Sequence, residues 1–188
     1  MKILWFDLET TGLSPIKNDI VSMACILEID GYEQDRLYLE IQPVNWDTIS
    51  QEALKVNGYT LDRLKSFMSQ EEAYAKLTSF LNKHCDKFNR SDKLIPAGHN
   101  IIRFDIPFLE EFFRRNNDKY LYSFLDYHNI DTSPLTLTLK AFNMLQVSDT
   151  KLVTLARHFN ITFNAHNSMS DIETTRKVFY EIKELLTE

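Results

Sequence analysis

Two acidic residues stand two positions apart at the end of the first apolar run of the chain. Asp7 and Glu9 follow the segment ILWF, residues 3–6, whose composition is typical of a buried β-strand. Residues i and i+2 share one face of a strand, so both carboxylates are expected side by side. Burying such a pair is costly unless a cation joins it, and hard divalent cations prefer oxygen ligands. The pair therefore predicts a metal site, and the alternative is a strand that runs into solvent with two exposed acids.

A third acid, Asp105, ends the segment GHNIIRFD, residues 98–105. The segment lies between a short apolar run, residues 94–97, and an amphipathic helix predicted over residues 107–116. In α/β proteins, ligand-binding residues often follow the carboxyl ends of the strands. Because Pro107 suits an early helical position, Asp105 is expected in the first turn. Alternatively, its carboxylate only stabilises the helix N-terminus, by ~0.3–1 kcal/mol.

A fourth acid, Asp171, stands at the start of the last predicted helix and heads its inward face. That face continues through Thr175, Val178, Ile182 and Leu185. His166 precedes Asp171 by five residues, which is not a same-face spacing, so we expect it on the preceding loop. Two alternatives stay open. In the first, His166 is an ordinary surface residue. In the second, Ser168 with Asp171, or Ser170 with Glu173, forms a capping box at the start of the helix.

The elements that must position these residues follow from periodicity and turn signals. Strands are predicted over residues 2–8, 20–29, 36–42, 94–97 and 128–131, and Asp30-Gly31 predicts a hairpin between the second and third. Helices are predicted over residues 60–67, 70–87, 107–116, 134–146, 150–159 and 169–187, and residues 43–60 read as less regular. Within the third helix, the pairs Glu110/Arg114 and Glu111/Arg115 are interpreted as a solvated face. This order of elements predicts an α/β protein, a mixed sheet covered by helices.

Composition limits the class of protein. A length of 188 residues predicts one domain over residues 1–188, with 44% hydrophobic residues for its core. The net charge of −6 argues against a protein that coats duplex nucleic acid by neutralising phosphates. An acidic enzyme still handles nucleic acid locally when metal ions supply positive charge. The chain has no apolar run of the ~20 residues that a membrane span needs, and its N-terminus does not resemble a signal peptide. Cys25 and Cys85 are interpreted as reduced thiols of a cytoplasmic protein, and a single disulfide is the alternative.

Four acids and a histidine together have a definite chemical meaning. Several carboxylates hold two divalent ions about 3.5–4 Å apart, and such a pair binds a phosphodiester and stabilises both the attacking and the leaving oxygen. A neutral histidine beside the site accepts a proton from the attacking water.

Three ordered motifs carry a family resemblance: DLETTGL at residues 7–13, HNIIRFD at 99–105 and HNSMSD at 166–171. The chain resembles the DEDD superfamily of 3′–5′ exonucleases, in its DnaQ-like, histidine-containing DEDDh branch. Segments 53–60, 130–132 and 152–161 are also similar to that family. Many relatives have two residues between His-Asn and Phe-Asp, whereas this chain has three, as in the exonuclease I branch.

The resemblance implies a ribonuclease-H-like fold, a mixed five-stranded sheet flanked by helices. It implies that Asp7, Glu9 and Asp171 ligate one metal ion, that Asp7 and Asp105 support a second, and that His166 is the general base. The cofactor would be two Mg²⁺ or Mn²⁺ ions per site, and the products nucleoside 5′-monophosphates. The residues expected to contact the terminal nucleotide are Thr10, Leu13, Val56, His99 and Phe104.

The function expected on this basis is a 3′–5′ exonuclease acting on single-stranded 3′ ends, with DNA favoured. A polymerase or another replication or repair protein is the expected protein partner, and no membrane is involved. Two alternatives remain open: an exoribonuclease or oligoribonuclease of the same family, and a non-catalytic nucleic-acid-binding or polymerase-associated domain.

Overall fold

The computed structural model describes residues 1–162 and 167–187. In this part of the chain, five strands form one mixed sheet in the order β3-β2-β1-β4-β5. The strands are β1 (Lys2–Thr10), β2 (Ile20–Ile29), β3 (Tyr32–Glu40), β4 (Ile95–Gly98) and β5 (Ile130–Asp131). β1, β2 and β3 pair antiparallel, while β4 pairs parallel with both β1 and β5. The predicted mixed five-stranded α/β architecture is confirmed.

Seven α-helices flank this sheet within the described residues. They are α1 (Gln51–Asn57), α2 (Leu61–Leu64), α3 (Gln70–His84), α4 (Asp105–Arg115), α5 (Thr132–Ala141), α6 (Leu152–His158) and α7 (Ser168–Leu185). Among the helices described, none is both long and apolar enough to cross a membrane.

The sheet has two buried faces, and alternate residues of β1 point to opposite sides. Leu4, Phe6 and Leu8 belong to the larger apolar cluster, which also contains core residues of α3 and α4. Ile3 and Trp5 belong to a second cluster with residues of α7, and the Trp5 ring lies 5.2 Å from that of Phe179. Residues of odd number on β1 therefore face α7.

The predicted hairpin forms, and β3 begins four residues earlier than predicted. Asp30 and Gly31 both have positive φ, 52° and 88°, as a two-residue type I′ turn requires. Pairing therefore resumes at once, with Tyr32 opposite Ile29. β3 is an edge strand whose residues are mostly exposed, so the apolar alternation that would mark its start is absent.

The prediction that residues 43–60 are less regular is wrong for α1. Ser50 caps this helix by accepting a hydrogen bond from the Ala53 amide, and Gly58 ends it at φ 72°. The helix buries only Leu54 and Asn57, too few residues to produce a helical pattern in the sequence. Cys25 and Cys85 are both buried and free, so the disulfide alternative is excluded.

Candidate active site

Three of the four predicted acids meet at the carboxyl end of β1. Carboxylate oxygens of Asp7, Glu9 and Asp171 all lie within 4.8 Å of one another. Asp7 and Glu9 have odd numbers on β1, so they point toward α7, as Trp5 does. Asp171 lies in the first turn of α7 and therefore completes the cluster from the opposite side.

The start of α7 differs from both predicted capping boxes. The N-cap is Asn167, whose side chain accepts a hydrogen bond from the Ser170 amide at 3.1 Å. Ser168 instead forms a buried hydroxyl–hydroxyl contact of 2.6 Å with Ser22 of β2. These contacts fix the first turn of α7, and in this orientation Asp171 faces the sheet.

Asp105, the fourth acid, joins the cluster from α4. It begins the helix as predicted and is 3% exposed. Its Oδ1 accepts a hydrogen bond of 3.0 Å from the Leu8 amide, which lies between Asp7 and Glu9 on β1. Asp105 therefore contacts the strand that carries the acidic pair, which a carboxylate serving only its own helix N-terminus would not do.

The electrostatics of the cluster are those of crowded, desolvated acids. Burial raises the pKa of Asp7 well above its usual range, and Asp105, Asp171 and Glu9 raise it further. Burial and then Asp171 raise the pKa of Glu9 to about 7. Burial also raises the pKa of Asp105, although the Leu8 N–H opposes this. A divalent cation would relieve this repulsion, and carboxylate oxygens are the ligands that Mg²⁺ and Mn²⁺ prefer, so the donor set fits such ions.

The raised pKa of Glu9 makes the stability of the metal-free protein depend on pH. The folded state keeps the Glu9 proton between pH 4.5 and 7, where the unfolded state loses it, so unfolding becomes easier as pH rises through this range. We expect a loss of about 3 kcal/mol from this residue. Urea unfolding in EDTA at a series of pH values measures it. Glu9→Gln should flatten the profile by that amount, and an identical profile in the variant would contradict the assignment.

Beside the acids lies a cavity of about 410 Å³, which Glu9 borders. Four of the five residues expected to contact the terminal nucleotide line it: Thr10, Leu13, Val56 and Phe104. The other lining residues are Leu8, Gly12, Ser50, Glu52, Ala53 and Asn57. Leu13 and Val56 are 86% and 54% exposed, so apolar surface is available at the cavity mouth. Residues far apart in sequence thus line one hollow next to the acids.

The two predicted histidines are placed differently. His99 does not line this cavity, and its Nδ1 lies 2.8 Å from the Thr132 hydroxyl at the start of α5. Burial lowers its pKa. His166 lies outside the described residues. The roles predicted for both remain predictions.

A family comparison gives this geometry its context. The exonuclease family model (RNase T) matches residues 4–179. The chain belongs to the DnaQ-like 3′–5′ exonucleases. The match covers all three motifs, so the predicted family and the enzyme class, a phosphodiester hydrolase, are confirmed.

Sequence relatives of this exonuclease include much longer proteins. It is 27% identical over 180 residues to a DNA polymerase III PolC-type from Pediococcus pentosaceus, and 28% identical over 191 residues to one from Mycoplasma genitalium. These alignments cover 95% and 97% of this chain. The chain spans 11% of the length of these curated relatives.

Solved structures share the fold. Escherichia coli exonuclease I in complex with a dT13 oligonucleotide superposes with a TM-score of 0.82 at 17% identity, over 99% of this chain and 42% of that one. A zinc-bound form of its complex with single-stranded DNA gives a TM-score of 0.79 at 18% identity, over 99% and 42% of the two chains. The predicted ribonuclease-H-like fold is confirmed.

The loop after the acidic strand of the exonuclease is held by contacts that the sequence did not reveal. The Thr10 hydroxyl donates to the Gly12 carbonyl at 2.7 Å, and the Asn57 amide donates to the Thr10 carbonyl at 3.2 Å. A Cβ on Gly12 would lie 2.5 Å from Oδ1 of Asn18, so a larger residue there would displace the Asn18 side chain. Asn57 belongs to segment 53–60, whose similarity to the family is the feature of the sequence that could have indicated this contact.

A buried ion pair fastens the same loop to α4, and it corrects the predicted solvated face. Arg115 pairs with Asp19, whose side chain is fully buried, and donates to the Pro15 and Ile16 carbonyls at 2.9 and 2.8 Å. It also pairs with Glu111 at 2.9 Å. Arg115 is thus a bridge from the helix of Asp105 to the loop that carries Leu13.

Removing this bridge should destabilise the protein. Arg115→Ala leaves the buried Asp19 carboxylate without its cation, for which we expect a cost of about 3 kcal/mol. Arg114→Ala is the matched control, because Arg114 also pairs with Glu111 but is 69% exposed, and we expect less than about 1 kcal/mol there. Urea unfolding of both variants measures the difference. Equal effects would show that the buried pair adds nothing.

Asp131 organises the second motif, a role the sequence did not indicate. Its carboxylate accepts hydrogen bonds from the amides of Asn100, Ile102 and Ser133, at 2.7, 3.3 and 3.1 Å. It therefore caps α5 and also fixes the three-residue spacer before Phe104. The segment was recognised only as family-like. An acid three residues before Pro134 is a helix-cap pattern that the sequence shows, whereas the contact of Asp131 with the loop of the second motif is not visible there.

Proposed function

We propose that this chain removes nucleotides from the 3′ end of single-stranded nucleic acid, with DNA favoured, and releases nucleoside 5′-monophosphates. The observation that carries the proposal is the convergence of Asp7, Glu9 and Asp171 within 4.8 Å, with Asp105 bonded to the same strand. Glu9 of this cluster borders a cavity whose volume lies in the usual range of small-ligand sites.

The acids would hold divalent cations, Mg²⁺ or Mn²⁺. Asp7, Glu9 and Asp171 would ligate one ion, and Asp7 with Asp105 would support a second. Ions bound there would polarise the phosphodiester and stabilise charge on the attacking and leaving oxygens. The raised pKa of Asp7 and of Glu9 supports this use, because the carboxylates are crowded in a way that a bound cation would relieve.

The cavity residues would bind the terminal nucleotide. Leu13, Val56 and Phe104 offer apolar surface for a base and sugar, and Glu9 links the cavity to the acids. Such a cavity takes an unpaired nucleotide, whereas a duplex end must first be unpaired at a cost of a few kcal/mol. His99 does not line the cavity, so it would contact the nucleotide from the loop of the second motif.

DNA is favoured over RNA because of what the similar proteins are. The relatives are DNA polymerases by name, and the exonuclease I structures hold DNA oligonucleotides. The same names support association with a polymerase or another replication or repair protein. The cytoplasmic location expected from the sequence stays a prediction.

A parallel digestion tests the proposal. Single-stranded DNA, duplex DNA and single-stranded RNA, each labelled at the 3′ terminus, are incubated with the protein and Mg²⁺, and products are identified by mass. We expect labelled nucleoside 5′-monophosphates first from single-stranded DNA. Faster release from RNA would favour the exoribonuclease alternative. No release from any substrate would favour the non-catalytic domain, although all four acids are present.

His166 is proposed as the general base that accepts a proton from the attacking water. His166→Ala should lower kcat by roughly 10²–10⁴-fold with a small change in KM. His128→Ala is the control, because His128 is 70% exposed and pairs only with Asp126 among the described ion pairs. Steady-state kinetics on single-stranded DNA measure both. Near-normal kcat in the His166 variant would remove the histidine from the mechanism.

A further inference from the structure

Exposed aromatic rings are concentrated on one part of the surface. Of seven exposed Phe and Tyr side chains in the described residues, four lie in segments 85–93 and 118–128: Phe88, Tyr120, Tyr122 and Tyr127. The two segments are neighbours, because the Leu94 amide donates to the Phe124 carbonyl at 2.9 Å and the Asp126 amide to the Leu94 carbonyl at 2.8 Å. Large exposed apolar surface of this kind is typical of a binding site.

Two of these rings border one hollow of about 350 Å³, which we call the aromatic hollow. It is lined by Lys87, Phe88, Asp118, Tyr120 and Ser123. Phe88 is 87% exposed and Tyr120 is 63% exposed, so both side chains are largely open to solvent. The Asp118 carboxylate is already engaged, since it accepts hydrogen bonds from the Tyr74 hydroxyl and the Tyr120 amide.

Lysine ammonium groups flank the rings. Lys87 Nζ lies 5.4 Å from the Phe88 ring centroid, and Lys119 Nζ lies 5.9 Å from that of Tyr120. Segments 85–93 and 118–128 together carry four basic and four acidic side chains, in a chain with 21 basic and 27 acidic residues. A ring beside an ammonium offers a stacking surface for a base together with a charge for the adjacent phosphate.

We propose that the aromatic hollow is a second site for single-stranded nucleic acid, binding the part of the strand upstream of the nucleotide being removed. The inference rests on the proposed function, which supplies the ligand. The hollow lies by the amino end of β4, level with Lys2 on β1, because Ile95 pairs with Ile3. Asp7 is five residues, roughly 17 Å, from Lys2 along β1, so the acids lie toward the other end of this strand. Only a strand of several nucleotides would reach both sites.

Equilibrium binding tests this without requiring hydrolysis. The probe is a 5′-fluorescein oligothymidylate of about 20 residues, longer than the ~4–16 nucleotides that one single-strand site covers, mixed with the full chain in EDTA. Phe88→Ala/Tyr120→Ala should raise Kd about 30-fold, since each lost stacking ring costs about fivefold or more. Tyr32→Ala/Phe142→Ala, which removes two exposed rings elsewhere, should leave Kd unchanged.

The salt dependence of binding tests the lysines separately. Lys87→Gln/Lys119→Gln should reduce the slope of log Kd against log salt by about 1.4, because each phosphate contact on a single strand contributes about 0.7. A Kd unchanged by the aromatic substitutions, a slope unchanged by the lysine substitutions, or no binding of the probe to the wild-type chain would overturn the inference.

Kinetics separate this inference from the proposed function. A thymidine dinucleotide is too short to reach the aromatic hollow, so its kcat/KM should be the same in the wild type and the Phe88→Ala/Tyr120→Ala variant, while that of the long oligonucleotide falls. Hydrolysis of both substrates with equal kcat/KM ratios in the two proteins would overturn the second site and leave the nuclease intact. Absence of hydrolysis in the wild type would refute the nuclease itself.

Discussion

Replacing Asp7 by asparagine is expected to reduce hydrolysis of a single-stranded 3′ end by about 10⁴-fold or more. Asp7 has Glu9 and Asp171 within 4.8 Å, and the proposal assigns it to both cations. Losing its charge would remove several kcal/mol of transition-state stabilisation. Asparagine keeps the shape of the side chain, so the loss would come from charge and not from packing.

The same substitution should stabilise the metal-free protein. The pKa of Asp7 is raised by burial and by three neighbouring acids, so its ionised form is unfavourable in the fold at neutral pH. We expect Tm in EDTA to rise, by about 2–4 °C for each kcal/mol relieved. Opposite effects on activity and stability are typical of a site where like charges are held together for function.

Single-turnover assays and thermal melts of Asp7→Asn test both statements. The control is Asp62→Asn, because the Asp62 side chain is 92% exposed and pairs only with Lys65 among the described ion pairs. It should change activity less than twofold and stability by less than about 1 kcal/mol. Normal turnover in Asp7→Asn would end the case for this acid cluster as the catalytic centre.

The positions of the acids were largely predictable from local rules. Alternation along β1 put Asp7 and Glu9 on one face, and helical spacing put Asp171 at the head of a buried face. These rules act over a few residues, so they are legible in one sequence. These rules do not predict that the β1 face with Asp7 and Glu9 lies opposite the helix face with Asp171, because that depends on how α7 packs on the sheet. The family resemblance supplied that step.

The supporting contacts were not predictable, and the reason is physical. Glu111 and Arg115 have the spacing of a solvated surface pair, yet Arg115 also pairs with Asp19, 96 residues away, and is only 18% exposed. Local spacing does not report a partner so distant in the chain. Asp131 is similar, because its capping role is local whereas its bonds to Asn100 and Ile102 cross between elements. Sequence reasoning therefore found the acids that cluster and missed the contacts that hold them in place.

Removal of divalent cations is the second change with a very large expected effect. Activity should fall to background in EDTA and return with Mg²⁺ or Mn²⁺, because the acids alone repel a phosphodiester. Binding should also stabilise the fold. At a free Mg²⁺ concentration about 100 times Kd, stability should rise by about 2.7 kcal/mol, which raises Tm by about 5–10 °C.

The affinity for Mg²⁺ should depend on pH in a definite direction. A cation binds the ionised carboxylates, and the pKa of Glu9 is about 7 in the metal-free fold, so protons compete with the metal below neutral pH. Kd from the rise in Tm should therefore fall as pH increases from about 6 to 8. Asp7→Asn should weaken or abolish the rise, and Asp62→Asn should preserve it. Hydrolysis that persists after thorough chelation, or a Tm indifferent to Mg²⁺ in the wild type, would refute metal-dependent chemistry at these acids.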